Sequence, residues 1–203
     1  QELTSLGALD AEGRLTERGR ELVRRNLPFE PRIGIMVLEA EKRACLLPTL
    51  VMAAFSREGS LFRELSSAEI GAAPGRDEGE RRWNARKAAR ERLKPMLDRS
   101  SDWFTLFKIF KVAVDQGVFE AARVSAMPQR HRSALDRQRF NDFREWCQRN
   151  YLKPEVLMHI AYKLTDYAAA MDLGLDRDEL VRELDHPDKS ALSEVLVSGY
   201  QDK

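Results

Sequence analysis

The feature that most constrains the fold is an almost uninterrupted apolar stretch in the middle of the chain, SSDWFTLFKIFKVAVD at residues 100–115. Its apolar side chains would cover most of the circumference of a helix: Trp103, Phe104, Leu106, Phe107, Ile109, Phe110, Val112 and Val114. A helix that is apolar nearly all round belongs inside a bundle. We therefore predict that residues 100–115 form the most buried helix of a helical fold.

The few polar residues of this stretch are placed in an ordered way. Ser100, Ser101 and Asp102 offer a helix N-cap and negative charge where free N–H groups and the positive end of the helix dipole favour them. The remaining polar residues follow at intervals of three or four: Thr105, Lys108, Lys111 and Asp115. They predict one narrow polar stripe, which either is the solvated side of the helix or faces a groove or ligand.

The helix predicted before this stretch carries a second stripe, which is basic. Residues 80–97 have helical spacing, with an inner face predicted from Trp83, Ala85, Ala88, Ala89, Leu93, Met96 and Leu97. On the other side a cation recurs every four residues, at Arg82, Arg86, Arg90 and Lys94. Such a stripe can follow a phosphate backbone over roughly four turns. With Glu80 and Glu91 nearby, it can equally be an ordinary solvated face.

Charge is balanced overall but unevenly distributed. The chain of 203 residues has 34 Lys and Arg against 33 Asp and Glu, which argues against wholesale polyanion binding but leaves room for a local basic surface. Residues 76–99 hold nine bases and five acids, whereas residues 172–203 hold four bases and nine acids.

No apolar run approaches the length of a membrane span. Cys45 and Cys147 lack metal-like spacing and are typical of buried thiols in a reducing, cytoplasmic compartment.

The amino-terminal region predicts a hairpin between two helices. Residues 8–16 place two short apolar pieces around a turn in which Gly13 can supply a positive φ. Thr16 stands at the N-cap of a helix that ends before Pro28. Residues 1–6 resemble the end of an earlier helix and lack an initiator Met, so we expect a piece of a longer protein. Helix, hairpin and helix in this order are how a winged-helix module ends.

The rest of the chain also predicts helices. Apolar spacing indicates them over residues 31–40, 46–55, 137–151, 154–174, 176–184 and 190–200. Glycine, serine, proline and charge dominate residues 56–79, which predict an irregular loop docked by Leu61, Phe62 and Leu65. Residues 117–140 show little periodicity and predict either a loop or a pair of short helices. The fold class is therefore all-α, a helical bundle after one hairpin.

Several motifs together resemble a known family. They are Leu3-x-x-Leu6-Gly7-Ala8-Leu9-Asp10-x-Glu12-Gly13-Arg14-Leu15-Thr16, Leu27-Pro28-Phe29-Glu30-Pro31-Arg32, Ala85-x-x-x-Ala89-x-x-x-Leu93, Ser101-Asp102-x-x-Thr105-Leu106 and Trp146-Cys147-x-x-x-Tyr151-Leu152. In this order they resemble the end of the winged-helix domain of DEAH-box (DExH) RNA helicases, followed by the helicase-associated, or ratchet, domain. The resemblance runs from Leu3 to about Gly199.

This resemblance implies a domain organisation and a function. It implies the end of a winged-helix domain at residues 1–30, a ratchet domain at 31–185 and an exit helix at 186–203 that leads to an OB-fold. The module would be non-catalytic and would enclose single-stranded RNA together with two RecA-like motor domains, which use ATP and magnesium in the parent helicase. The strand-facing residues would then form one positive surface: Ser101, Asp102, Thr105, Lys108, Lys111, Arg82, Arg86, Arg90 and Lys94.

A second function remains open, a helical protein-interaction or scaffolding module whose basic stripe is only a soluble face. No catalytic or metal-binding motif decides between the two. The sequence lacks a GxxxxGK[ST] phosphate loop, an Asp-Glu-Ala-His box and metal-ligand spacing. The three histidines, His131, His159 and His186, are isolated from one another and from the two cysteines and form no metal-ligand spacing.

We expect the purified chain to hydrolyse no ATP above background, because nothing in its sequence can cradle a triphosphate and its magnesium ion. A coupled assay of phosphate release, with and without single-stranded RNA, checks this expectation. Turnover that persists through a second purification would contradict the assignment.

Overall fold

The computed structural model describes residues 2–56 and 58–200, and within these ranges the fold is helical. The β structure of this part of the chain is limited to isolated antiparallel bridges, between Leu9 and Leu15 and between Phe62 and Leu152. The predicted all-α class is therefore confirmed. No helix among the described residues combines the length and the apolar character that a membrane span requires.

The chain divides into two compact units, each described by itself. The first comprises residues 1–56 and 163–203, and the second comprises residues 57–162. Gln1, Arg57 and residues 201–203 lie outside the described residues, so the predicted helix end is seen from Glu2 onward and the predicted exit segment up to residue 200. The domain boundaries implied by the resemblance, at 1–30, 31–185 and 186–203, stay a prediction.

The first unit is built around two apolar helices, at residues 31–42 and 46–55. Its helices are α1 (Glu2–Ser5), α2 (Glu17–Arg25), α3 (Pro31–Lys42), α4 (Leu46–Phe55), the end of α10 (Pro154–Ala170), α11 (Arg177–Asp185) and α12 (Lys189–Tyr200). Helix α3 packs against α2, α4 and α12, and α11 packs against α4. Gly199 permits the approach of α12 to α3, because a Cβ there would collide with the side chain of Met36.

The hairpin and the helix after it form as predicted. One carboxylate oxygen of Asp10 accepts hydrogen bonds from the backbone N–H groups of Glu12 (3.0 Å) and Arg14 (2.8 Å), and Gly13 takes a φ of 79°. Thr16 caps α2 by accepting a hydrogen bond from the N–H of Gly19 at 3.1 Å. Side chains thus satisfy backbone groups that a helix start leaves open.

The second unit contains the apolar helix that the sequence predicts at residues 100–115. Its helices are α5 (Ser67–Ala72), α6 (Glu78–Leu93), α7 (Asp102–Asp115), α8 (Val118–Ala126), α9 (Ala134–Arg149) and the start of α10, with 3₁₀ turns at Lys94–Met96 and Gln129–His131. Helix α5 packs on α6, α7 packs on α8, and α8 packs on α9. Residues 117–140 thus contain a helix with a buried face rather than a surface loop, since Phe119, Ala121 and Val124 are buried.

Helix α7 is deeply buried, but it is not the most buried helix. Seven successive residues of α4, from Pro48 to Ala54, are buried, whereas the buried residues of α7 are interrupted at Lys108, Lys111 and Val112. Helix α4 has no charged residue, while the charged side chains of α7 keep one side near solvent. The prediction that residues 100–115 form the most buried helix is therefore wrong.

Two further expectations are corrected. The predicted loop at residues 56–79 contains α5, because Ser66 and Glu69 form a capping box at its start. Trp83 and Ala88 do not belong to the inner face of α6, since both are exposed and Trp83 retains 69% of its accessible surface. Only part of the predicted inner face, with Ala85, Leu93 and Met96, is buried.

The two cysteines are free and buried, as their spacing predicted. Cys147 lies on the inner side of α9 beside Phe143. Burial raises the pKa of the Cys147 thiol to about 12. The side chain therefore acts as a small apolar group, not as a nucleophile.

Replacing Phe107 by Ala should lower the free energy of unfolding by about 3–5 kcal/mol, because the side chain is fully buried and its removal leaves a cavity. Urea unfolding followed by circular dichroism measures the change. The control is Leu135→Ala in the same unit, where the side chain is 54% exposed and the expected change is below about 0.5 kcal/mol. Equal effects of the two substitutions would show that the core is misassigned.

Candidate nucleic-acid interface

Helix α6 is the most highly charged helix of the second unit, and all three of its carboxylates are already engaged. Glu78 pairs with Arg82 at 2.6 Å, and Glu91 pairs with Lys94 at 3.2 Å. Glu80 accepts a hydrogen bond from the backbone N–H of Arg76 at 2.8 Å. The two outer cations of the predicted basic stripe are thus compensated by neighbours on the same helix or just beyond it.

The two inner cations of the stripe, Arg86 and Arg90, are exposed and have no hydrogen bond or ion pair with any described residue. They stand one turn apart, so their side chains leave neighbouring points of the helix. Each step of four residues turns about 40° beyond a full helical turn, so the stripe winds around α6. Arg82, Arg86 and Arg90 therefore line one cleft, whereas Lys94 does not.

This cleft, of about 640 Å³, is the place where the cationic face of α6 meets an apolar surface. Its apolar and aromatic lining consists of Phe62, Leu65, Ile70, Ala89, Leu93, Leu97 and Tyr151, and its charged lining consists of Arg63, Glu64, Arg82, Arg86 and Arg90. We call it the α6 cleft. Cations beside an apolar floor suit an anion that also carries a planar or apolar part.

One wall of the α6 cleft is held in place by Arg63. Its guanidinium donates two hydrogen bonds to Glu69, at 2.8 and 2.6 Å, and a further one to the carbonyl of Gln148 at 2.9 Å. It also lies over the ring of Tyr151, 4.8 Å from the centroid. Hydrogen bonds from Arg63, and then from Ser66, lower the pKa of Glu69 to about 2. A two-pronged Arg–carboxylate pair fixes direction as well as distance, so Arg63 ties its loop to α5 and to the end of α9.

The wall is completed by a pairing of two segments that are far apart in sequence. The N–H of Arg63 donates to the carbonyl of Tyr151, and the N–H of Lys153 donates to the carbonyl of Leu61, both at 2.9 Å. Nothing in the sequence pattern signals this pairing, because each segment is too short to show a strand period. Sequence reasoning therefore missed the walls of the cleft, including Arg63 and Tyr151.

The candidate residues on α7 do not line the α6 cleft. Ser101 caps the helix by accepting a hydrogen bond from the N–H of Trp103 at 3.1 Å, and Asp102 is exposed in the first turn. Thr105 is buried, and its hydroxyl accepts a hydrogen bond from the N–H of Asp98 at 2.8 Å. Lys111 is half-buried.

Lys108 completes this arrangement, because its ammonium pairs with the carboxylate of Asp98 at 2.8 Å. Hydrogen bonds from Lys108, and then from Ser100, hold the pKa of Asp98 well below its usual range. The polar stripe of α7 thus has a role that neither sequence reading included. Thr105 and Lys108 fasten the loop that connects the 3₁₀ turn Lys94–Met96 to α7.

The described residues contain no cluster of His, Cys, Asp or Glu that could hold a metal ion. The histidine closest to such an arrangement is His159, whose Nδ1 lies 2.8 Å from a carboxylate oxygen of Glu58, a partner that sequence reasoning did not find. The lining of the α6 cleft supplies positive charge, hydrogen-bond donors and apolar surface.

The Arg63–Glu69 pair should make the second unit sensitive to acid. The pKa of Glu69 is lower in the folded chain than the value of about 4.3 usual in unfolded peptides, so its stabilisation is present above that value and is lost as pH falls towards 2. Thermal unfolding from pH 7 to pH 2.5 should show a smaller acid-induced fall in Tm for Glu69→Gln than for wild type.

The control for this experiment is Glu145→Gln, which removes an exposed carboxylate of α9 that has no hydrogen bond or ion pair with the described residues. It should leave the pH dependence of Tm almost unchanged. If Glu69→Gln behaved like this control, the pair would not hold the wall of the cleft.

Two family models match the chain. A model described as the winged-helix part of the helicase associated domain (HA2) matches residues 1–28, and a model described as the ratchet-like part matches residues 30–106. A search of curated proteins finds no match. The similarity expected for the later landmarks, including Trp146-Cys147, lies beyond the matched stretches and stays a prediction.

The matched stretches adjoin, follow one another in the expected order and together cover just over half of the chain. They contain the hairpin, α2, α6 and the start of α7. The chain therefore belongs to the helicase-associated (HA2) family, the C-terminal part of DEAH-type helicases.

Proposed function

We propose that this chain is a non-catalytic module of an ATP-dependent DEAH-box RNA helicase and that the α6 cleft forms part of its channel for single-stranded RNA. The observation that carries the proposal is the pair Arg86 and Arg90, exposed on one side of α6 without a partner among the described residues. Two uncompensated cations one turn apart suit successive phosphates of a strand.

The position of the cations on a helix supports this function. A channel that converts motor movement into translocation needs its contacts on rigid elements. Helix α6 is such an element, because it is sixteen residues long, is capped by Asp77 and packs against α5. In this proposal the motor movement comes from RecA-like domains of the parent helicase, which bind ATP and magnesium, and an OB-fold supplies a further wall.

The other candidate residues receive different roles in this proposal. Arg82 lines the cleft but is compensated by Glu78, whereas Lys94 lies outside the cleft and is compensated by Glu91. Thr105 and Lys108 position the loop before α7 through Asp98 and do not touch the strand. Ser101, Asp102 and Lys111 remain candidates for strand contacts at the start and along the side of α7.

The test is the salt dependence of binding of fluorescein-labelled single-stranded RNA to the 203-residue chain. The wild-type dissociation constant should lie in the range of ~10⁻⁴ to 10⁻⁶ M that is usual for non-specific contacts. Arg86→Gln with Arg90→Gln should weaken binding of all sequences alike. It should also flatten the plot of log K against log salt by about 0.7 for each phosphate that the protein no longer neutralises.

The matched control is Arg139→Gln with Arg182→Gln, which removes the same charge from two exposed arginines outside the cleft. It should change the salt slope much less. Equal slopes for the two double variants would show that only net charge matters. An unchanged slope for Arg86→Gln with Arg90→Gln would favour the scaffolding function.

A further inference from the structure

Trp83 is the most exposed large apolar side chain of the described residues, with 69% of its surface accessible. An indole at this level of exposure is uncommon, because tryptophan is highly buried on average. The side chain has no ring contact, hydrogen bond or cation–π contact with a described residue. Packing within the second unit therefore does not explain it.

The surroundings of Trp83 on α6 are cationic. Arg86 and Lys87 lie one turn further along the helix and Arg90 lies two turns further, about 10 Å away along the axis. All three cations are exposed and lack a hydrogen bond or ion pair with described residues. The nearest carboxylates on this side, Glu78 and Glu80, are engaged by Arg82 and by the N–H of Arg76.

An exposed tryptophan beside uncompensated cations favours one class of ligand over another. A tryptophan that anchors a protein partner usually sits at the centre of an apolar, desolvated patch. Here the positions one turn before and after Trp83 are Gly79, Glu80, Arg86 and Lys87, none of which is apolar in side chain. An exposed aromatic face among free cations instead matches a ligand in which negative charges alternate with planar rings, as in a single-stranded nucleic acid.

We propose that Trp83 is a base-stacking residue, on which one nucleobase of the strand lies while Arg86, Lys87 and Arg90 contact the flanking phosphates. The inference rests on the proposed function of the α6 cleft and extends that surface beyond the cleft, whose lining does not include Trp83. The affinity gained from stacking requires a base and changes little with salt concentration. The affinity gained from phosphate contacts falls with salt concentration and does not require a base. The two contributions can therefore be measured separately.

The experiment compares two probes of about twelve units, oligoadenylate RNA and a base-free ribose–phosphate strand, binding to the 203-residue chain. Trp83→Ala should weaken oligoadenylate binding by about 5- to 150-fold without changing the salt slope, and should leave binding of the base-free strand unchanged. Trp83→Phe should recover most of the affinity. The matched control, Tyr162→Ala, removes another exposed aromatic side chain, 50% accessible, and should have no effect.

A spectroscopic measurement gives a second readout. Trp103→Phe with Trp146→Phe leaves Trp83 as the only tryptophan of the chain. Its fluorescence should be quenched when oligoadenylate binds and should be unaffected by the base-free strand.

The outcomes separate this inference from the proposed function. If Trp83→Ala binds oligoadenylate like wild type while Arg86→Gln with Arg90→Gln weakens binding, stacking is refuted and the RNA channel stands. If Trp83→Ala weakens both probes equally, the tryptophan supports the surface without stacking, and the inference is also refuted. No measurable binding of either probe by the wild-type chain would overturn both proposals.

Discussion

The candidate interface depends on one guanidinium group. Arg63 binds Glu69 through both of its terminal nitrogens, reaches the carbonyl of Gln148 and covers the ring of Tyr151. A planar guanidinium can bind a carboxylate through two parallel hydrogen bonds while its face stacks on a ring, a geometry that the ammonium of lysine does not offer. By fixing three segments against one another, this side chain turns the loop before α5 into a wall and leaves an open cleft beside α6.

The charge of that cleft follows from which cations are compensated locally. Helix α6 and the turn after it carry many arginines and lysines, but Glu78 and Glu91 pair with the outer ones and Glu69 pairs with Arg63. What remains for a ligand is the central group around Arg86 and Arg90. A chain with a net charge of only +1 can in this way present a concentrated positive surface without being basic overall.

Helix α7 has a supporting role in the same unit. Its apolar residues enter the core, and its two central polar residues, Thr105 and Lys108, hold the loop at Asp98. This loop follows the 3₁₀ turn that comes directly after α6, so α7 fixes the segment that leads away from the cationic helix. Membership of the HA2 family gives this arrangement its context, because these domains are parts of helicases.

Features that depend on neighbours along the chain could be predicted from the sequence. Caps such as Thr16 and Ser101, the hairpin turn at Gly13 and the spacing of Phe107 and Phe110 predicted the helices and the class, because capping and amphipathic period are local properties. The sequence did not predict α5, because the capping box at Ser66 and Glu69 is followed by little apolar periodicity. Three features arise from tertiary contacts instead. Helix α4 is buried more completely than α7, Trp83 is exposed, and Arg63 and Tyr151 form a cleft with Arg86 and Arg90. These features depend on contacts between segments far apart in sequence, such as Arg63 with Gln148, which are 85 residues apart, and no local pattern encodes which distant segment supplies the partner.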